Sequence, residues 1–249
     1  MTIFNKFKSN IHSQSGEDGV IIEIIKRIKI KNKRKMWCCE FGAWDGIHGS
    51  NTFNLVKNFD YNAVYIEGNK SRFKDLLKTK NKFPKIKAYN IHISHKKKSP
   101  NLLDRVLKKT KIPKDFEILS IDIDSHDLAV WKSLKKYQPK IIIIEINSGI
   151  VPGILQTHSK RKEGNSFSST VNYAKKIGYE LVCHTGNCIF IKKKYLKNIK
   201  INKRYISKPE LLFDYTWLNK KENILKKIIK IILPNKILDI LRKFKRRLI

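Results

Sequence analysis

Four cysteines in 249 residues, none arranged as C-x-x-C, exclude a disulfide framework and a zinc site of the common spacings. Cys38, Cys39, Cys183 and Cys188 are instead expected to be reduced thiols of the core. No stretch approaches the roughly 18 apolar residues of a spanning helix, and the first residues lack the apolar segment and A-x-A-like site of a signal peptide. A cytoplasmic location is therefore expected. There is no G-x-G-x-x-G and no G-x-x-x-x-G-K-[ST], which argues against a dinucleotide or a nucleoside triphosphate as ligand. No internal repeat or low-complexity tract is present. Acidic residues are scarce as well: 21 Asp+Glu stand against 54 Lys+Arg, a net charge of +33.

That charge suggests nucleic acid or an anionic membrane as partner, but only nine of the basic residues are Arg. A Lys-rich, Ile- and Asn-rich chain is also what an AT-rich coding genome writes onto a solvated surface. The excess is uneven, since residues 191–249 hold 19 basic and 4 acidic residues. There, apolar positions from Trp217 to Ile232, and again from Ile237 to Leu248, alternate with Lys and Arg, the pattern of basic amphipathic helices. The division expected is a domain over 1–200 and a helical tail over 201–249. Such a tail suits peripheral contact with the inner face of an anionic membrane, packing on its own domain, or an oligomer contact.

What remains is 41% hydrophobic, enough for a packed α/β core. Val20, Ile21, Ile24, Ile25 and Ile28 recur at helical spacing after "SQSGED", predicting a helix over 17–29. Continuously apolar segments then alternate with helical ones: strands near 36–41, 62–68, 85–93, 116–124 and 140–147, helices near 51–58, 70–79, 100–110, 127–136 and 168–177. Strands of that kind belong to a parallel sheet covered by helices on both faces. "YELVCHTGNCIFIKK" closes the series as two strands joined at a tight turn, so the core is expected over 36–192.

Three groups of residues carry chemistry. "CCEFGAWDGIHGSNT" follows the first strand, and Gly42 and Gly46 there allow a sharp turn and close approach to a ligand. Glu67 ends the next strand, where an acid can accept both ribose hydroxyls of an adenosyl ligand. Asp122, Asp124, His126 and Asp127 gather at the end of the fourth strand, with Glu145 and Asn147 at the end of the fifth. Ligands of open α/β sheets bind at this edge. Two tasks fit these residues: Asp124, His126 or Glu145 as general base for an acceptor hydroxyl, or Asp124, Glu145 and Asn147 as oxygen ligands of Mg2+. His158, in the loop after the fifth strand, is a further candidate from the acceptor side, and Asp127 also suits a helix cap.

With these motifs, and with "YIEGN", "LSIDIDSHDLAVWKSL", "PKIIIIEINS" and "SSTVNYAKKIGYELVCHTGNCIFIKK", the chain over about 12–195 resembles FkbM-type class I methyltransferases. The resemblance implies a Rossmann-like fold with a mixed seven-stranded sheet of order 3-2-1-4-5-7-6. It implies S-adenosylmethionine as donor and a saccharide hydroxyl as acceptor, in a surface glycan or a lipid-linked or nucleotide-linked sugar. Glu40, Gly42, Asp45 and Gly46 would line the methionine portion, Glu67 the ribose, and Asn90 with His92 the adenine edge. Asp122 and Asp124 would stand near the sulfonium and acceptor, while Gln14, Glu17 and Asp18 would close over the site. The residues themselves, apart from the resemblance, suggest Glu145 and Asn147 as holding acceptor hydroxyls or a metal. His126 stands where the family pattern has a small or amide residue. Two rival readings are an RNA methyltransferase, suggested by the charge, and a non-catalytic scaffold at a membrane surface. Against RNA, no recognisable RNA-binding module and no Asn/Asp-Pro-Pro-aromatic tetrad is present.

Overall fold

The computed structural model describes residues 3–29 and 36–218. Five parallel strands, β1 (Trp37–Phe41), β2 (Asn62–Ile66), β3 (Ile86–Tyr89), β4 (Ile118–Ile121) and β5 (Ile141–Glu145), are followed by β6 (Tyr179–His184) and β7 (Asn187–Lys192). They form one sheet of order β3-β2-β1-β4-β5-β7-β6, with β7 antiparallel to both neighbours. This is the expected order. At its centre Cys39 of β1 lies opposite Val64 of β2 and Leu119 of β4, all buried.

The helices between the strands are α1 (Glu17–Ile28), α2 (Phe53–Phe59), α3 (Lys70–Lys82), α4 (Leu103–Lys108), α5 (Asp127–Ser133) and α6 (Phe167–Lys176). Helix α1 forms because Val20, Ile21, Ile24 and Ile28 make one apolar stripe, which it buries completely or nearly so. Each such side chain contributes about 1.5–3 kcal/mol when fully removed from water. The β5–β7 end of the core is built on Trp131 of α5, whose ring meets Tyr173, Tyr179 and Phe190 at 5.3–5.8 Å. All four cysteines are free and buried. Burial holds the Cys38, Cys39 and Cys188 thiols well above their ordinary range.

The compact domain runs to Asp214 rather than ending at 200. After the short helices α7 (Leu196–Ile199) and α8 (Lys203–Ser207), a 3-10 turn at Pro209–Leu212 brings Leu212 and Phe213 into the core. The Phe213 ring stacks on His184 of β6 at 4.5 Å, and Lys175 of α6 donates to the Ile206 carbonyl. Apolar burial therefore moves the boundary about fourteen residues beyond the point where the charge excess suggested it. From Tyr215 the chain forms a separate unit, in which Tyr215–Trp217 is a 3-10 turn. The expected basic helices lie almost wholly outside the described residues. No described helix is long and apolar enough to cross a membrane.

Candidate active site

The parallel strands all point their carboxyl ends to one edge, and their exits make the site. Leaving β1, the chain takes left-handed backbone at Gly42 (φ +78°), Trp44 (φ +49°) and Gly46 (φ +77°). A Cβ on Gly42 would lie 1.6 Å from the Asp122 carbonyl oxygen, so only glycine lets the exits of β1 and β4 pass. Gly42 and Ala43 then donate to the Ile66 carbonyl, joining this turn to the end of β2.

Buried acids fix the path of the same loop. Glu40 accepts hydrogen bonds from Ser50 Oγ (2.7 Å), Thr52 Oγ1 (2.5 Å) and the Asn51 amide. Burial raises its pKa, and the Thr52 and Ser50 hydroxyls partly reverse the effect. Asp45 accepts from the Ile47 and His48 amides and meets the His48 ring at 2.6 Å. What both carboxylates do in the structure is brace residues 42–52.

Glu67, only 5% exposed, accepts from the Trp44 amide on one oxygen (2.8 Å) and the Asn69 amide on the other (2.7 Å). A carboxylate has about four acceptor sites, so two remain for a pair of ligand hydroxyls. Asn90 Nδ2 donates to the Glu67 and Gly68 carbonyls, and a Cβ on Gly68 would strike the His92 ring. The structure thus brings Glu67, Asn90 and His92 together. β3 ends at Tyr89, short of the anticipated 93, because Asn90 leaves the ladder to make these bonds.

At the exits of β4 and β5, carboxylate oxygens of Asp122, Asp124 and Glu145 lie within 4.8 Å of one another. Burial, then the Asp124 and Asp127 charges, raise the Asp122 pKa; burial, then Asp122 and Asp124, raise that of Glu145. A hydrogen bond between the two carboxyls favours Asp122 as the ionised partner and Glu145 as the proton holder. The Asp124 amide donates to Glu145 Oε2 (3.1 Å), and Asp124 itself is exposed on left-handed backbone (φ +58°). Asp127 accepts from the Ile123 and Ser125 amides and has its pKa raised to about 6 by burial; it anchors the turn into α5.

Asn147 and His126 each have partners in the loops around the site. Asn147 Oδ1 accepts from the Gly149 amide and its Nδ2 donates to the Glu163 carbonyl, so it staples its own loop. Among the described His, Cys, Asp and Glu side chains, the set that a cation could use is Asp122, Asp124 and Glu145. His126 is sandwiched between His95 (4.7 Å, stacked) and His158 (4.5 Å). Burial, then those two rings, lower its pKa, so it is neutral at neutral pH. His158 accepts the Gly164 amide on Nδ1, which leaves its proton on Nε2. His95 was not anticipated; the signal available was a second histidine three residues after His92 at a strand exit, which reads as surface until the loops are folded together.

The segment before α1 reaches the same loop. Glu17 accepts from Thr185 Oγ1 (2.6 Å) and Asn187 Nδ2, and Asp18 Oδ2 accepts the amides of Ile11, His12 and Ser13. So held, the segment lays Gln14 against Gly49, where a Cβ would lie 2.3 Å from the amide nitrogen.

Residues 19–181 match the family model described as the methyltransferase FkbM domain. Among curated proteins, none matches the sequence. Of solved structures, the N-terminal domain of EvdMO1, crystallised in the presence of SAH and D-fucose, is 10% identical (TM-score 0.45), covering 74% of this chain and 84% of that one. A putative caffeoyl-CoA O-methyltransferase from Staphylococcus aureus is 14% identical (TM-score 0.48; 74% and 85%). The citrinin polyketide synthase CMeT domain is 12% identical (TM-score 0.47) over 71% of this chain, which spans 51% of that one.

Proposed function

The chain belongs to the FkbM family of S-adenosylmethionine-dependent methyltransferases, and from that premise we propose that it methylates a hydroxyl of a saccharide, nucleotide-linked or lipid-linked. The observation that carries the reading is the carboxylate trio at the exits of β4 and β5, beside the turn that Glu67 ties to β2. The residues present fit the donor. Glu67 keeps two acceptor sites for the ribose hydroxyls, and the Asp122 and Asp124 charges offer a counter-charge to a sulfonium.

Bound S-adenosylmethionine supplies a methyl carbon already activated for in-line displacement, the sulfur keeping the electron pair of the broken C–S bond. The chain's residues must align the acceptor and take up the hydroxyl proton as the new C–O bond forms. Burial and the neighbouring Asp122 and Asp124 charges raise the pKa of Glu145 and favour its protonated form. His126 is neutral but made a weaker base by burial and its two neighbouring rings. Asp124, exposed and on left-handed backbone, is left as the general base. His126 and His158 then orient acceptor hydroxyls, and Gln14 with the braced 10–18 segment covers the 42–52 loop. Asp122, Asp124 and Glu145 also present hard oxygens of the kind Mg2+ takes; an ion there would polarise the acceptor hydroxyl.

The test is transfer of label from methyl-labelled donor to nucleotide-linked and lipid-linked sugars, with and without a chelator. Asp124→Asn is expected to lower kcat by about 100-fold or more while affinity for S-adenosylhomocysteine stays within about threefold. Label arriving on RNA instead, or an undiminished kcat in Asp124→Asn, overturns the reading. Activity that survives chelation assigns proton removal to Asp124 without a metal.

A further inference from the structure

The loop between β5 and α6 keeps apolar side chains in water although its backbone is firmly held. Val151, Ile154 and Leu155 are 43%, 50% and 66% exposed, three large apolar residues within five positions. Single exposed apolar residues are ordinary, but a group of them is a mark of a contact surface. Flexibility is not the reason for their exposure. The Gly153 amide donates to Ser168 Oγ (2.7 Å), the Gln156 amide to Ser166 Oγ, and the Ser166 amide to the Gln156 carbonyl. Gln156 Nε2 reaches the Glu163 and Gly164 carbonyls, and Asn147 Nδ2 the Glu163 carbonyl again. The fold therefore holds these side chains out.

A second tip rises from the same loop. Ser159 and Lys162 exchange backbone hydrogen bonds across a tight turn that presents Lys160 and Arg161, and all of Lys160, Arg161 and Lys162 are exposed. Gln156 joins the two tips, one apolar and one cationic. An apolar tip next to a cationic one matches the two layers of an anionic bilayer surface, where hydrocarbon lies beneath phosphate. A protein partner would need a broader, flatter patch than five residues of a protruding arch supply.

We propose that residues 151–162 dock this domain onto an anionic lipid surface, with Val151, Ile154 and Leu155 entering the acyl boundary and Lys160, Arg161 and Lys162 meeting lipid phosphates. The loop carries His158 and is tied to the turn between β4 and α5 through Asn165 Nδ2 and the Ser125 carbonyl. Docking would thus bring the acceptor side of the site to the surface where a lipid-linked saccharide is held, a consequence that rests on the function proposed above.

The docking itself is tested without donor or acceptor. Because the four native cysteines are buried, a new surface thiol labels selectively. Leu155→Cys and, as a control on α3, Lys80→Cys are each labelled with nitrobenzoxadiazole in the full chain. They are then mixed with vesicles of equal parts phosphatidylglycerol and phosphatidylcholine. The expected result is a blue-shifted, brighter emission at 155 and none at 80, absent with pure phosphatidylcholine. Lys160→Glu/Arg161→Glu should weaken vesicle binding by at least about thirtyfold, at about 1 kcal/mol for each cation lost. Co-sedimentation without a shift at 155 would mean that another part of the chain binds, and no binding at all would be equally fatal. Self-association relieved by Ile154→Asp would make the loop a protein contact, and any of these three results overturns the proposal.

Discussion

Replacing Glu67 by Gln tests the adenosyl site most directly, because it changes charge and one acceptor without changing shape. In the structure each Glu67 oxygen accepts one backbone amide, from Trp44 at 2.8 Å and from Asn69 at 2.7 Å. The two remaining acceptor sites are those assigned to the ribose. In Glu67→Gln one oxygen becomes an NH2 that faces a backbone N–H, so one ribose bond is lost and the other loses its charge assistance. A hydrogen bond to a charged group is worth about 1.5–3 kcal/mol, and losing charge assistance on the other costs about 0.5–1 kcal/mol more, so affinity for S-adenosylhomocysteine should fall roughly 30- to 1,000-fold. The orphaned amide also costs about 1–3 kcal/mol of stability, a drop in Tm of roughly 2–12 °C for a domain of this size. Calorimetric titration gives the first quantity and thermal unfolding the second. A 2′-deoxy analogue separates a lost ribose contact from a loosened Trp44 turn: it should bind wild type weakly and lose little more in the variant. Wild-type affinity in a folded Glu67→Gln protein, or additive losses in that cycle, would refute the assignment.

Two further expectations follow from the backbone and from the shared proton. Gly42→Ala should fail to give folded protein, since its Cβ would lie 1.6 Å from the Asp122 carbonyl, whereas Gly153→Ala, with nothing within 4 Å, should cost only the roughly 1–2 kcal/mol of left-handed backbone; equal urea midpoints for the two would contradict this. Glu145→Gln keeps a donor toward Asp122 but cannot titrate. Because the folded pKa of Glu145 is raised, its proton favours the fold at low pH and that stability is lost as pH rises above the ordinary carboxyl range. Wild type should therefore lose about 1.4 kcal/mol per pH unit relative to Glu145→Gln between about pH 5.5 and 7, and parallel urea-midpoint curves would show that no proton is shared.

The sheet was legible because parallel strands buried on both faces must be continuously apolar, as "AVYI", "EILSI" and "IIIIE" are. Ends were less legible wherever a side chain competes with the ladder. Asn90 is the case in point, turning away to bond the Glu67 carbonyl and ending β3 four residues early. Glu67 and the acidic strand ends could be found from position alone, since strand exits converge. The partners of Glu40, Asp45 and Asn147 could not, because their acceptors and donors are amides and hydroxyls of loops whose path no periodicity encodes. The place of His95 beside His126 was hidden for the same reason, as it arises only when three separate loops meet.

The distribution of charge in this chain is an argument in itself. A protein at +33 that gathers Asp122, Asp127 and Glu145 at one edge has set scarce acids where burial makes them costly to ionise. The rise in pKa at Asp122, Asp127 and Glu145 reflects that cost, and a proton on Glu145 relieves it. A cation placed there offers the same relief without requiring a proton, so the site favours a positively charged ligand over a neutral one of equal shape. Sulfonium and product differ in this respect, because methyl transfer removes the positive charge. On the function proposed above, the attraction of the cluster for the sulfonium would therefore not extend to the neutral thioether, and the product would be released more readily than the donor.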